Sequence, residues 1–300
     1  MDYRLTRQGM CQNIAEKGPQ TTPITLYNRT ASKASSFVSS LPPNKATVAS
    51  SLTQAVHDSS LIFICVGDDP ALDQVISGIL ETGDIASKLI VDCSTVHPDT
   101  SRRVHTTLSA RGASFVACPV FGAPLMAITG QLVVVPAGAP DAIARVRPFL
   151  DGVTARATLP IPNQEDVGSA SLLKVLGNTF ILNMVESLAE GMTAAEKTGL
   201  GAEVYEQWVE TMFPGAFAKY AERMHSGDYH TREEPLFAVD LARKDLRHAS
   251  GLAGDQGVRL RSVEVTDGYL QDVKKERGEK GDIAAVYGAV RKEAGLPFEN

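Results

Sequence analysis

The first half of the chain alternates short apolar runs with helix-like segments, and this alternation limits the folds open to it. Strand-like runs rich in β-branched residues stand at residues 23–29, 45–50, 61–66, 88–94, 114–120, 132–138 and 156–161. Continuous apolar strands separated by helices are typical of a parallel sheet that is covered on both faces. The pattern predicts a doubly wound, Rossmann-like α/β domain over residues 1–162.

Strand signals almost vanish after residue 162. A helix-like segment from residue 168 to about 199 has apolar residues nearly all the way round, which indicates a helix buried in protein. Further helix-like segments follow at residues 202–212, 215–224, 236–257, 265–278 and 282–295. The sequence therefore predicts a second, all-α domain over residues 163–300.

A doubly wound sheet that binds a dinucleotide needs a strand and a Gly-x-Gly-x-x-Gly turn before its first helix, so that backbone amides can approach the pyrophosphate. Gly9 is the only glycine before the helix-like segment 10–18, and eight residues cannot hold both features. The predicted sheet thus lacks its first, central strand, and we expect two exposed strand edges. Two explanations stay open: the true reading frame begins upstream, or the protein has lost the usual phosphate cradle.

Composition argues against several classes of function. A net charge of −6 and dispersed basic residues argue against nucleic acid as a partner. No uninterrupted apolar run approaches the roughly 18 residues that span a bilayer, and the first residues lack the apolar core of a secretory signal. We expect a cytoplasmic protein, or a mitochondrial one if a presequence precedes it. The four cysteines and six histidines are scattered, so we expect free thiols and no metal.

One cation lies within the apolar helix after residue 168. Lys174 and Asn178 stand one helical turn apart there. A buried lysine is costly unless it has a polar partner or gives up its proton. Either Lys174 reaches the surface along its alkyl chain, or it belongs to a functional site.

A second polar group ends the first strand-like run, at Asn28-Arg29-Thr30. In a doubly wound sheet the end of the second strand faces the adenosine ribose, where a basic side chain suits a 2′-phosphate. Arg29 therefore favours NADPH over NADH. The alternative is an ordinary strand-ending turn with a solvated arginine.

Five segments fall into one order along the chain, with RKDLRHA near the end: MCQNIAEKG, LYNRT, VDCSTVHPDTSRRV, FVACPVFGAPLMAITGQLVVVPAG and GSASLLKVLGN. This set resembles the β-hydroxyacid dehydrogenase family, which includes 3-hydroxyisobutyrate dehydrogenase, glyoxylate/succinic semialdehyde reductases and, more distantly, 6-phosphogluconate dehydrogenase. The resemblance covers about residues 8–295. It implies an NADP(H)-dependent oxidoreductase that acts on a small carbonyl compound or hydroxy acid, and commonly a homodimer through the helical domain.

The resemblance also implies roles for individual positions. Lys174 matches the catalytic lysine, which lies in a cleft between domains and exchanges a proton with the substrate. Asn178 matches the asparagine four residues later, which would orient the lysine or the substrate. Phe121-Gly122-Ala123 matches the substrate-binding Ser-Gly-Gly loop. The positions implied to bind the cofactor are Asn28, Arg29, Thr30, Val66, Ser94, Thr95 and Lys244.

The chain departs from the family pattern at two places. Counted back from Asn13, the three fingerprint glycines fall on Asp2, Arg4 and Arg7. Phe121 replaces a serine whose hydroxyl helps to hold a substrate carboxylate, although backbone amides near Gly122 and Ala123 could still bind an anion.

Two other functions therefore stay open. The missing glycines suit a catalytically inactive relative that acts as a binding protein. An imine reductase shares the two-domain plan, but its catalytic position is usually aspartate or tyrosine, which Lys174 does not match.

Overall fold

The structure, a computed structural model, describes residues 3–300, with side chains from residue 5 onward. By its internal contacts the chain forms two compact units, Tyr3–Lys174 and Val175–Asn300. The first unit is α/β and the second is helical, which confirms the predicted fold class. The division between the units falls inside the long helix that begins at Val167, and the predicted domain boundary at residue 162 lies just before this helix.

The α/β unit contains nine short strands and the helices that alternate with them. Its elements in chain order are α1 Tyr3–Lys17, β1 Ile24–Leu26, α2 Ala31–Ser40, β2 Ala46–Val48, α3 Leu52–His57, β3 Leu61–Ile64, α4 Asp69–Glu81, β4 Leu89–Asp92, α5 Pro98–Ser109, β5 Ser114–Ala117, β6 Val120–Phe121, α6 Pro124–Ile128, β7 Leu132–Val134, β8 Ala137–Gly138, α7 Pro140–Leu150, β9 Ala155–Thr158 and the start of α8, Val167–Lys197.

The sheet is divided where the sequence lacks a strand. β1 pairs in parallel with β2, and β3 forms the edge of a separate group in the order β3-β4-β5-β8. Over residues 3–300 no strand joins β1 to β3. β3 is only partly buried over its first three residues, whereas β4, which is paired on both sides, is buried throughout. In these residues both strand edges are therefore unpaired, as expected from the sequence, but β1 and β3 are partly buried and not exposed.

Strands after β5 do not all run parallel. β8 is antiparallel to β5, and β6 and β7 pair antiparallel in a third group with β9. The sequence suggested one strand over residues 132–138, but Pro136 divides this run into β7 and β8, since proline cannot donate to a ladder. Only two residues separate β5 from β6, too few for the crossover that a parallel neighbour requires.

Helices α4 and α5 begin shortly after strands β3 and β4 and carry side-chain caps. The Asp68 carboxylate accepts from the Ala71 amide at 2.9 Å, and the His97 ring accepts from the Asp99 amide at 3.2 Å. The amide of His97 also donates to Asp69 at 2.8 Å. These bonds fix the carboxyl ends of the two strands, which is where doubly wound folds bind ligands.

Helix α1 is docked closely onto α6. A Cβ atom at Gly9 would lie 2.6 Å from the carbonyl carbon of Ala127, so only glycine permits this approach. The buried amide of Asn13 donates to the carbonyl oxygens of Gly9, Ala127 and Ile128 at 2.8, 2.8 and 3.0 Å. The helix thus keeps its place although no strand precedes it in the described residues.

All four cysteines lie in the α/β unit as free thiols, as the sequence predicted. Burial raises the pKa of Cys11 to about 11 and that of Cys65 to about 12. Cys93 and Cys118, at the ends of β4 and β5, are buried neighbours, and a hydrogen bond between their thiols together with burial raises the pKa of Cys93.

The helical unit continues from α8 and packs around one apolar core. Its later elements are α9 Ala202–Met212, α10 Ala216–His225, α11 Asp228–Thr231, α12 Val239–Gly254, α13 Arg261–Arg277, two 3₁₀ turns at Gly278–Lys280 and Ile283–Ala285, and α14 Val286–Glu293. The buried carboxylate of Asp282 accepts from the amides of Leu236, Phe237 and Ala284, and this satisfies backbone groups at the entry to α12.

Helix α8 is 31 residues long and is the one described helix whose length and hydropathy would suit a membrane span. Half of its most apolar stretch is buried, and Leu182, Val185 and Met192 belong to the core of the helical unit. Buried core helices meet the same criterion, so the length and composition of α8 are weak grounds for a membrane role.

Candidate active site

The first turn of α8 is fixed by an ion pair to α5. Arg102 donates to both carboxylate oxygens of Asp166 at 2.9 and 2.8 Å, and Asp166 also accepts from the Gly168 amide and the Ser169 hydroxyl. The hydrogen bond from Arg102 lowers the pKa of Asp166 to about 2. A Cβ atom at Gly168 would lie 2.6 Å from the guanidinium carbon of Arg102, so a larger residue there would displace this guanidinium.

Lys174 is held against the ring of Phe121. Its side chain is buried, with 4% of the residue exposed, and Nζ lies 4.2 Å from the ring centroid. A cation–π contact of this kind is worth about 1 to 2 kcal/mol when water is excluded. Nearly one turn earlier, Ser171 is hydrogen-bonded to Ser101 on α5 at 2.7 Å. The alternative in which Lys174 reaches the surface is therefore wrong.

The carboxyl ends of β3 and β4 are joined beside this lysine. The Val66 amide donates to Ser94 Oγ at 2.8 Å, and the Ser94 amide donates to the Asp92 carboxylate at 3.0 Å. Ser94 and Thr95 are both buried. Val66 and Phe121 pack against the same apolar cluster as Leu173, the residue before Lys174. Of the residues singled out from the sequence, Val66, Ser94, Phe121 and Lys174 are thus brought together.

The loop after β6 is apolar and tightly packed. Gly122 has a φ of 142°, and a Cβ atom there would lie 2.7 Å from the Leu132 side chain. Ala123 precedes α6 without a side-chain cap, and Pro124 at the start of α6 has no amide hydrogen. Residues 121–124 therefore offer an aromatic ring and the amides of Gly122 and Ala123, with no hydroxyl or charged side chain.

Arg29 stands at the carboxyl end of β1. Its side chain is exposed, and no hydrogen bond or ion pair ties it to another residue in the part of the chain that the structure describes. Asn28 donates to the Thr30 carbonyl at 2.9 Å, which shapes the turn that leads into α2. The arrangement leaves the guanidinium available to a ligand, although no contact joins it to the residues around Lys174.

Two of the three positions matched to the family's fingerprint glycines, Arg4 and Arg7, lie in the first turns of α1. Asp2 lies outside the described residues, and Arg4 belongs to the helix with its side chain undescribed. Arg7 is partly buried, and its charge acts on the thiols of Cys11 and Cys65. Among the described residues, a partly buried cation therefore stands at the position of the third fingerprint glycine.

In the helical unit, Asn178 and Lys244 share one partner. Asn178 Nδ2 donates to Asp245 Oδ2 at 2.6 Å, and Lys244 Nζ lies 3.0 Å from Asp245 Oδ1. All three residues are buried, and Asp245 is fully so. The resemblance matched the family's late Lys-Asp pair to Lys244 and Asp245 but gave Asp245 no role of its own, and its contacts with Asn178 and Lys244 now supply one.

Comparison with known proteins agrees with this two-part architecture. A family model described as the NAD binding domain of 6-phosphogluconate dehydrogenase matches residues 8–161, and one described as NAD-binding of NADP-dependent 3-hydroxyisobutyrate dehydrogenase matches residues 168–290. The chain is therefore an NAD(P)-dependent oxidoreductase of the 3-hydroxyisobutyrate dehydrogenase type, a class that acts on hydroxyl and carbonyl groups. It belongs to the β-hydroxyacid dehydrogenase family, which confirms the resemblance drawn from its sequence.

Individual relatives match over nearly the whole chain. The NADH-dependent oxidoreductase ucdB of Aspergillus ustus is 36% identical over 290 residues, which cover 96% of this chain and 97% of that protein. The structure of 3-hydroxyisobutyrate dehydrogenase from Salmonella typhimurium matches with a TM-score of 0.81 at 19% identity, over 94% of this chain and 95% of that one. Psf3 in complex with NADP+ and 2-OPP also matches with a TM-score of 0.81, at 20% identity over 94% and 96% of the two chains. At these identities the structural matches show the fold.

Proposed function

We propose that this protein reduces a small carbonyl compound with NADPH, and that Lys174 donates the proton. The observation that carries the proposal is the buried ammonium of Lys174, held over Phe121 and near the carboxyl end of β3. A buried lysine is a suitable proton donor because burial disfavours its charged form and so eases release of the proton.

Bound NADPH would supply the hydride to the carbonyl carbon. Lys174 Nζ would protonate the carbonyl oxygen as its charge develops, and so would complete the alcohol. Ser94 and Thr95 would line the site near the nicotinamide, and Phe121 with the amides of Gly122 and Ala123 would contact the substrate. Asn178 would orient the reacting groups, with its own amide held by Asp245.

The test of this function is the Lys174→Ala variant. We expect its turnover to fall by about 10³-fold or more, because the proton donor is gone, while its affinity for NADPH stays within a few-fold. Steady-state kinetics with a panel of carbonyl compounds and cyclic imines, together with NADPH titration, measures both. Lys197→Ala is the matched control, since Lys197 is an exposed lysine on the same helix.

The outcomes separate the three functions. Near-normal turnover by Lys174→Ala would exclude the lysine mechanism. A wild-type chain that binds no NADPH and no NADH would favour the inactive relative that acts as a binding protein. Turnover confined to cyclic imines would favour the imine reductase.

NADPH is proposed as the cofactor because Arg29, at the carboxyl end of β1, is an exposed cation with no hydrogen bond or ion pair to another described residue. The name of the Aspergillus ustus relative specifies NADH, so the choice needs its own test. We expect Arg29→Ala to weaken NADPH binding by about 10-fold, the usual scale of one charge-assisted contact to a phosphate, and to leave NADH binding unchanged. Arg156→Ala, which removes an exposed arginine on β9, is the control. Equal loss of both cofactors would refute the assignment.

A homodimer is proposed through a set of neighbouring aromatic side chains in the helical unit. Consecutive ring centroids in this set lie 5.3 to 6.3 Å apart, and the members, here called the aromatic surface, are Tyr205, Trp208, Phe213, Phe217 and Phe180. Phe180 is 62% exposed and Trp208 is 49% exposed. Exposed apolar patches of this kind mark interaction surfaces.

A further inference from the structure

The contact between Phe121 and Lys174 determines which substrate groups can bind beside the lysine. The ring lies under the ammonium at a centroid distance of 4.2 Å, and it packs against the same apolar cluster as Val66 and Leu173. One face of the ring is therefore used by the lysine, and the side chain is only partly buried. The surface beside the proton donor is apolar and aromatic.

A carboxylate would find few partners at this place. An ionised carboxylate can accept about four hydrogen bonds, and it is costly to desolvate without them. Residues 121–124 provide two backbone amides and no side-chain donor, and Pro124 removes the next amide. If the Lys174 ammonium paired with the carboxylate instead, it would leave both the ring and the carbonyl oxygen that it protonates.

We propose that Phe121 makes this site selective for carbonyl compounds whose carbonyl carbon bears an apolar or aromatic group rather than a carboxylate. The inference rests on the proposed reductase function and deepens it. The substituent would pack beside the Phe121 ring, in the favourable geometry of aromatic pairs. Lys174 would stay on the ring with its proton directed to the carbonyl oxygen.

Two aldehydes that differ in this one respect provide the test. Benzaldehyde bears a phenyl group and glyoxylate bears a carboxylate, and kcat/KM is measured for both with NADPH and with NADH. We expect the wild-type chain to prefer benzaldehyde by about 10-fold or more, since residues 121–124 offer a charged group no side-chain donor. A preference for glyoxylate would overturn the proposal.

Substitutions at Phe121 then test whether this residue is the cause. We expect Phe121→Ser to lower the benzaldehyde-to-glyoxylate ratio by about 10-fold or more, through a lower KM for glyoxylate and a higher KM for benzaldehyde. Phe121→Tyr keeps the ring and should keep the ratio within about 3-fold. Leu125→Ser is the control, since Leu125 is 67% exposed on the adjacent α6. An unchanged ratio in Phe121→Ser, or the same change in Leu125→Ser, would contradict the role of Phe121.

A binding measurement separates this proposal from the proposed function. Thermal shift of the full chain with NADP+ is recorded with benzyl alcohol and with glycolate, the products of the two aldehydes. Stabilisation by benzyl alcohol, lost in Phe121→Ser and kept in Phe121→Tyr, supports the selectivity even if neither aldehyde is reduced. In that case the reductase function fails and the selectivity stands. Stabilisation by glycolate alone would overturn the selectivity, whatever the turnover.

Discussion

Glu186 on α8 is a carboxylic acid that the fold has buried, with 7% of the residue exposed. Burial, together with a hydrogen bond that the protonated carboxyl donates to the neighbouring Glu190, raises its pKa from an ordinary 4.5 to about 7. The folded state therefore binds this proton more tightly than the unfolded chain does. The resulting stabilisation is complete below pH 4.5 and is lost as the pH rises through 7.

We predict that Glu186→Gln stabilises the protein at pH 8 by about 1 to 3 kcal/mol and has little effect at pH 5, because a neutral amide carries no charge to bury. Urea denaturation at the two pH values measures the difference. Glu210→Gln is the control, since Glu210 is exposed on α9, and it should have the same small effect at both. A larger benefit at pH 5 than at pH 8 would reverse the sign and refute the explanation.

At this scale the sequence singled out the lysine that we propose as the proton donor, but not its surroundings. Lys174 stood out because a cation in an apolar helix needs a partner. That its partner is the Phe121 ring could not be inferred, because the two residues are distant in the chain and meet only after folding. The contact of Asp245 with Asn178 could not be inferred for the same reason.

Among the elements, α1 is the one whose position most needs an explanation. No strand leads into it within the described residues, and its packing relies on Gly9 and Asn13 against α6. Asn13 also accepts from Lys17 at 2.8 Å, so its side chain has partners at both ends.

We predict that Asn13→Ala destabilises the α/β unit by about 2 to 3 kcal/mol, because the carbonyl oxygens of Ala127 and Ile128 lose a buried donor. Chemical denaturation monitored by circular dichroism gives the change in free energy. Gln12→Ala removes a neighbouring amide whose bond to Glu16 is exposed, so it should cost less than about 0.5 kcal/mol. Equal losses in the two variants would show that α1 is not held in this way.

The longer elements could be predicted because each carries its own periodic pattern. The apolar runs became β3, β4 and β5, and the missing central strand correctly implied a divided sheet. Helices α3 and α6 have only six and five residues. They were not predicted, because segments of this length are too short to show a helical periodicity. The antiparallel pairings of β6 with β7 and of β8 with β5 depend on the path of the chain after β5, which the hydropathy pattern does not indicate.

At the scale of the whole molecule, the aromatic surface of the helical unit leaves large apolar side chains exposed to solvent. We predict that Trp208→Lys converts a dimer into a monomer, because a charge at the centre of an apolar interface is desolvated without a partner. Sedimentation velocity at micromolar concentration distinguishes the two species. Val258→Lys is the control, since Val258 is 53% exposed in the same unit but outside the aromatic surface. A monomeric wild-type chain, or a dimer that survives the substitution, would contradict the prediction.

The thiols are distributed so that only one of the two units can be labelled by a thiol reagent. All four cysteines belong to the α/β unit, and residues 175–300 contain none. Burial raises the pKa of Cys11 and Cys65, and a hydrogen bond to Cys118 together with burial raises that of Cys93. Alkylating reagents should therefore label these thiols slowly until the α/β unit opens. The number of alkylated thiols, measured by mass spectrometry during partial denaturation, would therefore report the opening of the α/β unit. The helical unit has no thiol, so its unfolding would not change this number.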